Sequence, residues 1–136
     1  MFVHKKKIRV RYGETDKMGY VYYGNYALYF EEGRTEAIRD LGVSYKSLEE
    51  KGVLLPVTTL NTKFLKPAYY DDLLTIETSI NEIPAGVRIH FYYKIFNENE
   101  ELLCTGNTTL AFIDEKTNKP LKAPDFFLLK LKPFFD

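Results

Sequence analysis

The order of predicted elements in this sequence indicates an α+β fold, in which an antiparallel sheet of five strands wraps around one long helix. Three observations support this fold class. Apolar residues recur with helical spacing over residues 25–41, four segments within residues 53–113 resemble strands, and short polar turns separate those segments. With 136 residues the chain has the size of one domain, which we place at residues 1–136.

The first strand is predicted at residues 6–12, where basic and apolar residues alternate as in a strand with one buried face. A polar loop over residues 13–24 follows it. The basic run at residues 1–7 precedes no hydrophobic segment of the length that a signal peptide or a membrane span needs. We therefore expect a cytoplasmic protein without a membrane partner.

A long amphipathic helix is predicted between an N-cap at Asn25 and a stop at Gly42. Gly33 lies in its middle, which indicates that a packed sheet approaches the helix closely there. Glu31 and Arg34 are three residues apart and are expected to form a weak pair on the exposed face. The apolar and small positions of the buried face are Tyr26, Phe30, Gly33, Ala37 and Leu41.

A short second helix is predicted over residues 44–51, and only strands follow it. Because short turns separate these strands, we expect them to be antiparallel neighbours. One helix covers only one face of such a sheet, so the other face and the two edges stay exposed. We expect a second subunit to cover them, in a homodimer or a homotetramer. The four strands are predicted at residues 53–66, 73–83, 87–97 and 101–113.

Composition and motifs exclude several classes of function. Nineteen acidic residues balance nineteen lysines and arginines, so no net charge attracts nucleic acid. The sequence has no phosphate-binding loop, no dinucleotide-binding glycine pattern and no Cys-x-x-Cys pair. His4 and His90 lie in different predicted strands without a third ligand, and Cys104 has the surroundings of a buried core residue. We therefore expect neither a metal site nor a cofactor.

Asp16 is the candidate residue for chemistry. Its carboxylate lies in the polar loop between the first strand and the long helix. The free backbone N–H groups at the start of a helix can stabilise a developing negative charge. A carboxylate beside such a helix start suits acyl transfer. On the sequence alone, an aspartate that only stabilises the turn is an equal alternative.

The loop and the long helix also carry residues in a specific spacing. The most specific run is Tyr12-x-x-Thr15-Asp16-x-x-Gly19-x-Val21-Tyr22-Tyr23-x-Asn25-Tyr26, followed by Phe30-Glu31-x-x-Arg34-Thr35-Glu36. Weaker matches are Lys66-Pro67-Ala68 with Asp72-x-Leu74, and the late Thr117-x-Lys119-Pro120. In this spacing the chain resembles the hotdog-fold acyl-CoA thioesterases of the 4-hydroxybenzoyl-CoA thioesterase and YbgC-like family. The resemblance extends over almost the whole chain.

This resemblance implies the hotdog fold and the hydrolysis of an acyl- or aroyl-CoA thioester to a free acid and coenzyme A. Asp16 would act as nucleophile or as general base, and the backbone N–H of Tyr23 would polarise the thioester carbonyl. Many YbgC-like members have histidine at the position of Tyr23, so we do not expect a histidine-assisted mechanism. The reaction of the family needs no metal or cofactor.

We assign substrate binding to Gly24, Asn25 and Tyr26 at the helix start, and to Lys63 and Arg88. The two cations could meet the phosphates of coenzyme A, although a solvated face explains each of them as well. Two alternatives stay open: a thioesterase that acts on an acyl carrier protein, and a non-catalytic protein that binds acyl-CoA. Aromatic residues available to line an acyl pocket are Tyr20, Tyr22, Tyr26, Phe64, Tyr69 and Tyr70.

Overall fold

The computed structural model of the chain describes residues 1–135, and it has the predicted five-stranded antiparallel sheet and long helix. Three short 3-10 turns, at Tyr12–Glu14, Tyr23–Asn25 and Lys132–Phe134, supplement the regular elements. In chain order the elements are β1 (Phe2–Arg9), α1 (Tyr26–Asp40), α2 (Tyr45–Glu50), β2 (Val53–Leu54), β3 (Val57–Phe64), β4 (Leu73–Ile80), β5 (Arg88–Phe96), β6 (Leu102–Ala111), β7 (Ile113–Asp114) and α3 (Asp125–Leu131).

The strands of the main sheet are ordered β1-β4-β5-β6-β3, and every neighbouring pair is antiparallel. The consecutive strands β4, β5 and β6 are neighbours, as predicted. The expectation that β3 and β4 are also neighbours is wrong, because β4 pairs with β1 and β3 pairs with β6 at the opposite edge. The segment over residues 65–72 therefore connects the two sides of the sheet and is not a hairpin turn.

Several predicted boundaries also differ from the structure. β1 begins at Phe2 and not at residue 6, because the Phe2 ring is buried against the ring of Phe134, with 4.9 Å between the centroids. The single strand predicted over residues 53–66 is divided at Pro56 into β2 and β3, since proline cannot donate a hydrogen bond to a sheet. The segment β2 instead pairs with β7. The C-terminal helix α3 was not predicted.

Helix α1 packs on the concave face of the sheet, and glycines permit the close approach. A Cβ atom at Gly33 would lie 2.6 Å from Oγ1 of Thr78 on β4, which confirms the predicted close contact. At Gly106 on β6 a Cβ would lie 2.5 Å from the ring of Phe30, which itself stacks on Tyr93 with 4.3 Å between centroids. The core therefore depends on direct contact between the helix and the sheet backbone.

The end of α1 and the start of α2 follow sequence signals, whereas the prediction of Asn25 as the N-cap of α1 is wrong, because its side chain makes no capping hydrogen bond. Gly42 ends α1 with a φ of +89°, a left-handed conformation that suits glycine. Ser44 caps α2, because its hydroxyl oxygen accepts a hydrogen bond of 3.0 Å from the backbone N–H of Ser47. Among residues 1–135, no helix has the length and apolar character that crossing a membrane requires.

The predicted surface pair of Glu31 and Arg34 is wrong. Arg34 on α1 is buried, and its Nε donates a hydrogen bond of 3.1 Å to the hydroxyl of Tyr45 on α2. No ion pair joins Glu31 and Arg34 in the part of the chain that the structure describes. The position of Arg34 beside Gly33 places it at the edge of the buried face, where its long side chain joins the two helices.

Candidate active site

The loop that carries Asp16 is fixed at both ends to the segment over residues 65–72, which connects the two sides of the sheet. The backbone N–H of Val10 donates to the carbonyl of Asp72 at 2.9 Å, and the N–H of Val21 donates to the carbonyl of Ala68 at 2.8 Å. Between these points the chain turns at Gly19, whose φ is +81°. Asp16 therefore lies on a short, anchored loop between β1 and the start of α1.

The two oxygens of the Asp16 carboxylate have different surroundings. Oδ1 accepts hydrogen bonds from the backbone N–H groups of Met18, at 2.9 Å, and Tyr20, at 3.3 Å. Oδ2 accepts no hydrogen bond from any of residues 1–135. The side chain thus has the turn-stabilising role considered from the sequence, and it also leaves one half-buried oxygen available for chemistry.

The start of α1 presents free hydrogen-bond donors. The turn Tyr23–Asn25 leads directly into the helix. The backbone N–H groups of Tyr23 and Gly24 donate to no group within residues 1–135, and the N–H of Asn25 donates to the carbonyl of Tyr22 at 2.9 Å. A Cβ at Gly24 would lie 2.7 Å from the ring of Tyr22, so a glycine lets this ring pack over the turn. Such free donors at a helix start favour negative charge.

One cavity of about 280 Å³ joins the carboxylate and the helix start. Asp16, Tyr23 and Tyr26 share it, so the structure brings these three predicted residues together. The ring of Tyr26 contacts that of Phe64 edge to face, with 5.0 Å between centroids, and burial raises the pKa of Tyr26 to about 12. The full lining is Asp16, Met18, Tyr20, Val21, Tyr23, Tyr26, Phe64, Leu65, Lys66 and Pro67.

Three other aromatic residues predicted for the pocket do not line the cavity. Tyr69 contacts the ring of Tyr20 edge to face at 5.4 Å, and Tyr70 contacts the ring of Tyr12 in the same way at 5.7 Å. Tyr22 lies against Tyr23, with 4.6 Å between the ring centroids. Tyr22 and Tyr69 therefore contact residues that line the cavity, whereas Tyr70 does not, and all three are exposed.

The remaining predicted binding residues are placed elsewhere. The side chain of Asn25 donates from Nδ2 to the main-chain oxygen of Glu14 at 2.8 Å, so its amide binds the protein itself and does not cap α1. Lys63 and Arg88 project from the outer face of the sheet, the face opposite α1. Lys63 pairs with Thr105 and lines a separate cavity of about 560 Å³ on that face. The structure therefore does not bring these two cations to the Asp16 cavity.

Sequence reasoning missed Glu14, which lies close to the site. Its Oε1 accepts hydrogen bonds from the hydroxyl of Tyr29 at 3.0 Å and from the backbone N–H of Arg11 at 2.8 Å. Desolvation opposes ionisation of Glu14, but the Arg11 backbone, the Tyr29 hydroxyl and the Arg11 guanidinium together hold its pKa below the usual range. The guanidinium of Arg11 can only donate, so Arg11 and Glu14 do not form the capping box of a Ser or Thr followed by Glu, and no local sequence signal indicated the role of Glu14.

Cys104 and His90, which we did not expect to take part in the reaction, lie on the strands β6 and β5 of the main sheet. Cys104 is buried in the core, as predicted, and burial raises the pKa of its thiol to about 12. Nδ1 of His90 lies 2.9 Å from Oγ1 of Thr109 on the neighbouring strand β6. Within residues 1–135, no three His, Cys, Asp or Glu side chains converge on a point that could hold a metal ion.

Comparison with known proteins places this geometry among thioesterases. The sequence model of the thioesterase-like superfamily matches residues 10–131. YneP of Bacillus subtilis, provisionally described as an acyl-CoA thioesterase, is 39% identical over 122 residues, which cover 90% of this chain and 88% of YneP. The acyl-CoA thioester hydrolase YbgC of Escherichia coli is 30% identical and is aligned over 92% of each chain.

A solved structure extends the similarity to three dimensions. The DHNA-CoA thioesterase of Staphylococcus aureus superposes with a TM-score of 0.85 at 38% identity. The match covers 99% of this chain and 85% of the other. Similarity in sequence and in structure therefore extends over both the sheet and the loop that carries Asp16.

Proposed function

The chain belongs to the thioesterase-like superfamily and is a hotdog-fold acyl-CoA thioesterase, and from this premise we propose that Asp16 and the backbone N–H of Tyr23 carry out its reaction. The observation that carries the proposal is the cavity that both residues line, together with the Oδ2 oxygen of Asp16, which has no hydrogen-bond partner in residues 1–135. No other predicted site residue combines a reactive group with access to this cavity.

Two routes of hydrolysis use the same groups. If Asp16 is the nucleophile, Oδ2 bonds to the thioester carbonyl carbon, the C–S bond breaks, the thiolate of coenzyme A leaves, and water then hydrolyses the mixed anhydride. If Asp16 is a general base, it takes a proton from a water molecule that attacks the same carbon, and the tetrahedral intermediate then expels the thiolate of coenzyme A as the C–S bond breaks and leaves the free acid. In both routes the carbonyl oxygen becomes negative. The N–H groups of Tyr23 and Gly24 would stabilise it, and losing one such donor typically costs about 2.7–4 kcal/mol.

We propose an aromatic acyl group as the preferred substrate. Rings of Tyr20, Tyr23, Tyr26 and Phe64 line the cavity, and aromatic pairs gain about 0.5–1.5 kcal/mol beyond the burial of their area. The similarity to a DHNA-CoA thioesterase supports an aroyl-CoA, whereas the similarity to YbgC is with an acyl-CoA hydrolase. An acyl group on a carrier protein is a second candidate substrate.

We also propose a homodimer that forms along β3. This strand is at the edge of the sheet and pairs only with β6, and seven of its eight residues are exposed. Helix α1 packs mainly on β1 and β4. On β3, Leu60 stays 46% exposed, and Phe64 stays 51% exposed although its ring contacts Tyr26 of α1. An unpaired edge strand with apolar side chains is a site for strand pairing with a second copy.

The single cysteine, Cys104, supports a cytoplasmic location.

The proposed site is tested by measuring thiol release from a panel of aroyl-CoA, acyl-CoA and acyl carrier protein thioesters. We expect Asp16→Asn to lower kcat by about 10²- to 10⁴-fold. The fold should persist, because the asparagine oxygen can still accept from Met18 and Tyr20. Asp40→Asn removes an exposed carboxylate at the far end of α1 and serves as the matched control.

The outcomes separate the parts of the proposal. Faster hydrolysis of alkyl than of aroyl substrates would contradict the aromatic preference and leave the site intact. An Asp16→Asn enzyme with the activity of the wild type would refute the role of Asp16. Hydrolysis of carrier-protein substrates alone would identify the second candidate as the physiological class.

A further inference from the structure

Glu14 joins the two halves of the proposed site through its side chain. Its carboxylate accepts from the hydroxyl of Tyr29 at 3.0 Å, and Tyr29 lies on α1, only 3% exposed. The same carboxylate accepts a hydrogen bond from the backbone N–H of Arg11 at 2.8 Å and another from Nη2 of the Arg11 guanidinium at 3.1 Å. The side chain thus connects the loop of Asp16 to the first turn of the helix.

The main-chain oxygen of Glu14 makes a second connection, to the turn that presents the free donors. It accepts from the backbone N–H of Tyr22 at 2.9 Å and from Nδ2 of Asn25 at 2.8 Å. Tyr22 and Asn25 flank Tyr23 and Gly24, whose N–H groups donate to no group within residues 1–135 and are the proposed oxyanion donors. One residue therefore holds both sides of this turn.

The position of Asp16 depends on the same residue. Asp16 follows Glu14 by two positions, and the intervening Thr15 is held by a bridge to Val21 and by a hydrogen bond of 2.8 Å from its hydroxyl to the carbonyl of Tyr12. Little freedom remains between the carboxylate of Asp16 and the backbone of Glu14. A shift of Glu14 would therefore move Asp16 relative to the helix start.

We propose that Glu14, acting through Tyr29 and Asn25, is a positioning residue that sets the distance between the attacking oxygen of Asp16 and the oxyanion donors at Tyr23 and Gly24. The inference rests on the proposed function of Asp16. Acyl transfer is sensitive to such a distance, since misplacement of a reacting group by about 1 Å can cost about 10²-fold in rate. Glu14 itself makes no contact with the substrate in this role.

The test removes single hydrogen bonds from the network and measures kcat and KM separately. Tyr29→Phe deletes only the hydroxyl that reaches Glu14. We expect it to lower kcat by about 10- to 100-fold and to change KM by less than about threefold, because geometry is lost and binding surface is not. Asn25→Ala removes the second connection and should have an effect of the same kind.

Tyr45→Phe is the control, because it also removes a tyrosine hydroxyl that forms a side-chain hydrogen bond, here from a half-buried residue that accepts from Arg34 outside the cavity. It should lose some stability and keep the kcat of the wild type. Glu14→Gln keeps an oxygen that can accept from Tyr29 and Arg11, so it should restore most of the activity that Glu14→Ala loses.

Two results would overturn the inference: a wild-type kcat for Tyr29→Phe and Asn25→Ala, or equal losses for Tyr29→Phe and Tyr45→Phe. If Tyr29→Phe does not fold, the comparison of Glu14→Gln with Glu14→Ala decides the question. Asp16→Asn in the same assay distinguishes the two proposals. Full activity of that variant removes the proposed function, while a large loss with unaffected Tyr29→Phe removes only the positioning role.

Discussion

At the scale of single residues, the Asp16 side chain stabilises its turn and is also the proposed catalytic group. Oδ1 accepts hydrogen bonds from the backbone N–H groups of Met18 and Tyr20, Oδ2 has no partner in residues 1–135, and the residue lines the cavity. The sequence presented turn stabilisation and catalysis as equal alternatives. The proposed catalytic role is compatible with the turn, because the hydrogen bonds to Oδ1 restrict rotation of the carboxylate and leave Oδ2 without a partner in residues 1–135.

The thiol of Cys104 gives a prediction at the same scale. Because only the thiolate reacts, a pKa of about 12 leaves about 1 thiol in 10⁴ ionised at pH 8, against a substantial fraction for an ordinary cysteine. We expect a chromogenic disulfide reagent to label no thiol in the native protein at pH 8 and one per chain after unfolding in urea. Rapid labelling of native protein would show that the core opens around β6.

Some residues near the site could be predicted from the sequence and others could not. Asp16 was predicted because it lies in a loop just before a helix start, whereas Tyr23 was assigned only from the family resemblance, and the structure brings the two to one cavity. Lys63 and Arg88 were misplaced relative to the cavity because local sequence does not reveal which face of a strand meets the helix. Glu14 was missed because its partner, Tyr29, is fifteen residues away and joins it only through the fold.

At the scale of elements, the contact of α1 with the sheet depends on small residues. We predict that Gly106→Ala lowers the free energy of unfolding by about 1–3 kcal/mol, because the added methyl group meets the ring of Phe30 and the backbone oxygen of Asn61. Urea denaturation measures the change. Gly86→Ala is the control, because a Cβ at Gly86 would meet nothing within 4 Å. It should change the free energy of unfolding by no more than about 0.5 kcal/mol, as neutral surface substitutions do. An unchanged midpoint for Gly106→Ala would contradict this account of the packing.

Helix α1 was predicted almost to the residue, and α3 was not predicted at all. The first has four turns of apolar periodicity with Asn25 and Gly42 at its ends, so the local signal is long and well bounded. The second has only seven residues, five of which are Phe or Leu, and so short an apolar segment has no readable period. The pairing of β3 with β6 was missed for a different reason, since strand order is set by distant partners.

At the scale of the whole molecule, the exposed edge at β3 predicts the state of assembly. Light scattering should give a mass of at least twice 15.9 kDa for the wild type. Leu60→Lys should shift the protein toward the monomer, because a charged residue on an edge strand opposes pairing with a second copy. Leu129→Lys changes a leucine on α3 that is more exposed, at 69%, and should leave the mass unchanged. A monomeric wild type would contradict the proposed dimer.

The pairing of β1 with β4 also bears on how the enzyme acquires its activity during folding. The register runs from Phe2 opposite Ile80 to Arg9 opposite Leu73. This edge of the sheet therefore forms only after the long segment between the two strands has been ordered, whereas short turns join β4, β5 and β6. The loop of Asp16 continues from β1. In refolding from urea we expect tyrosine fluorescence to recover before thiol release does, and simultaneous recovery would contradict this order. The return of activity would then mark the pairing of β1 with β4, and a newly synthesised chain would hydrolyse no thioesters until its fold is complete.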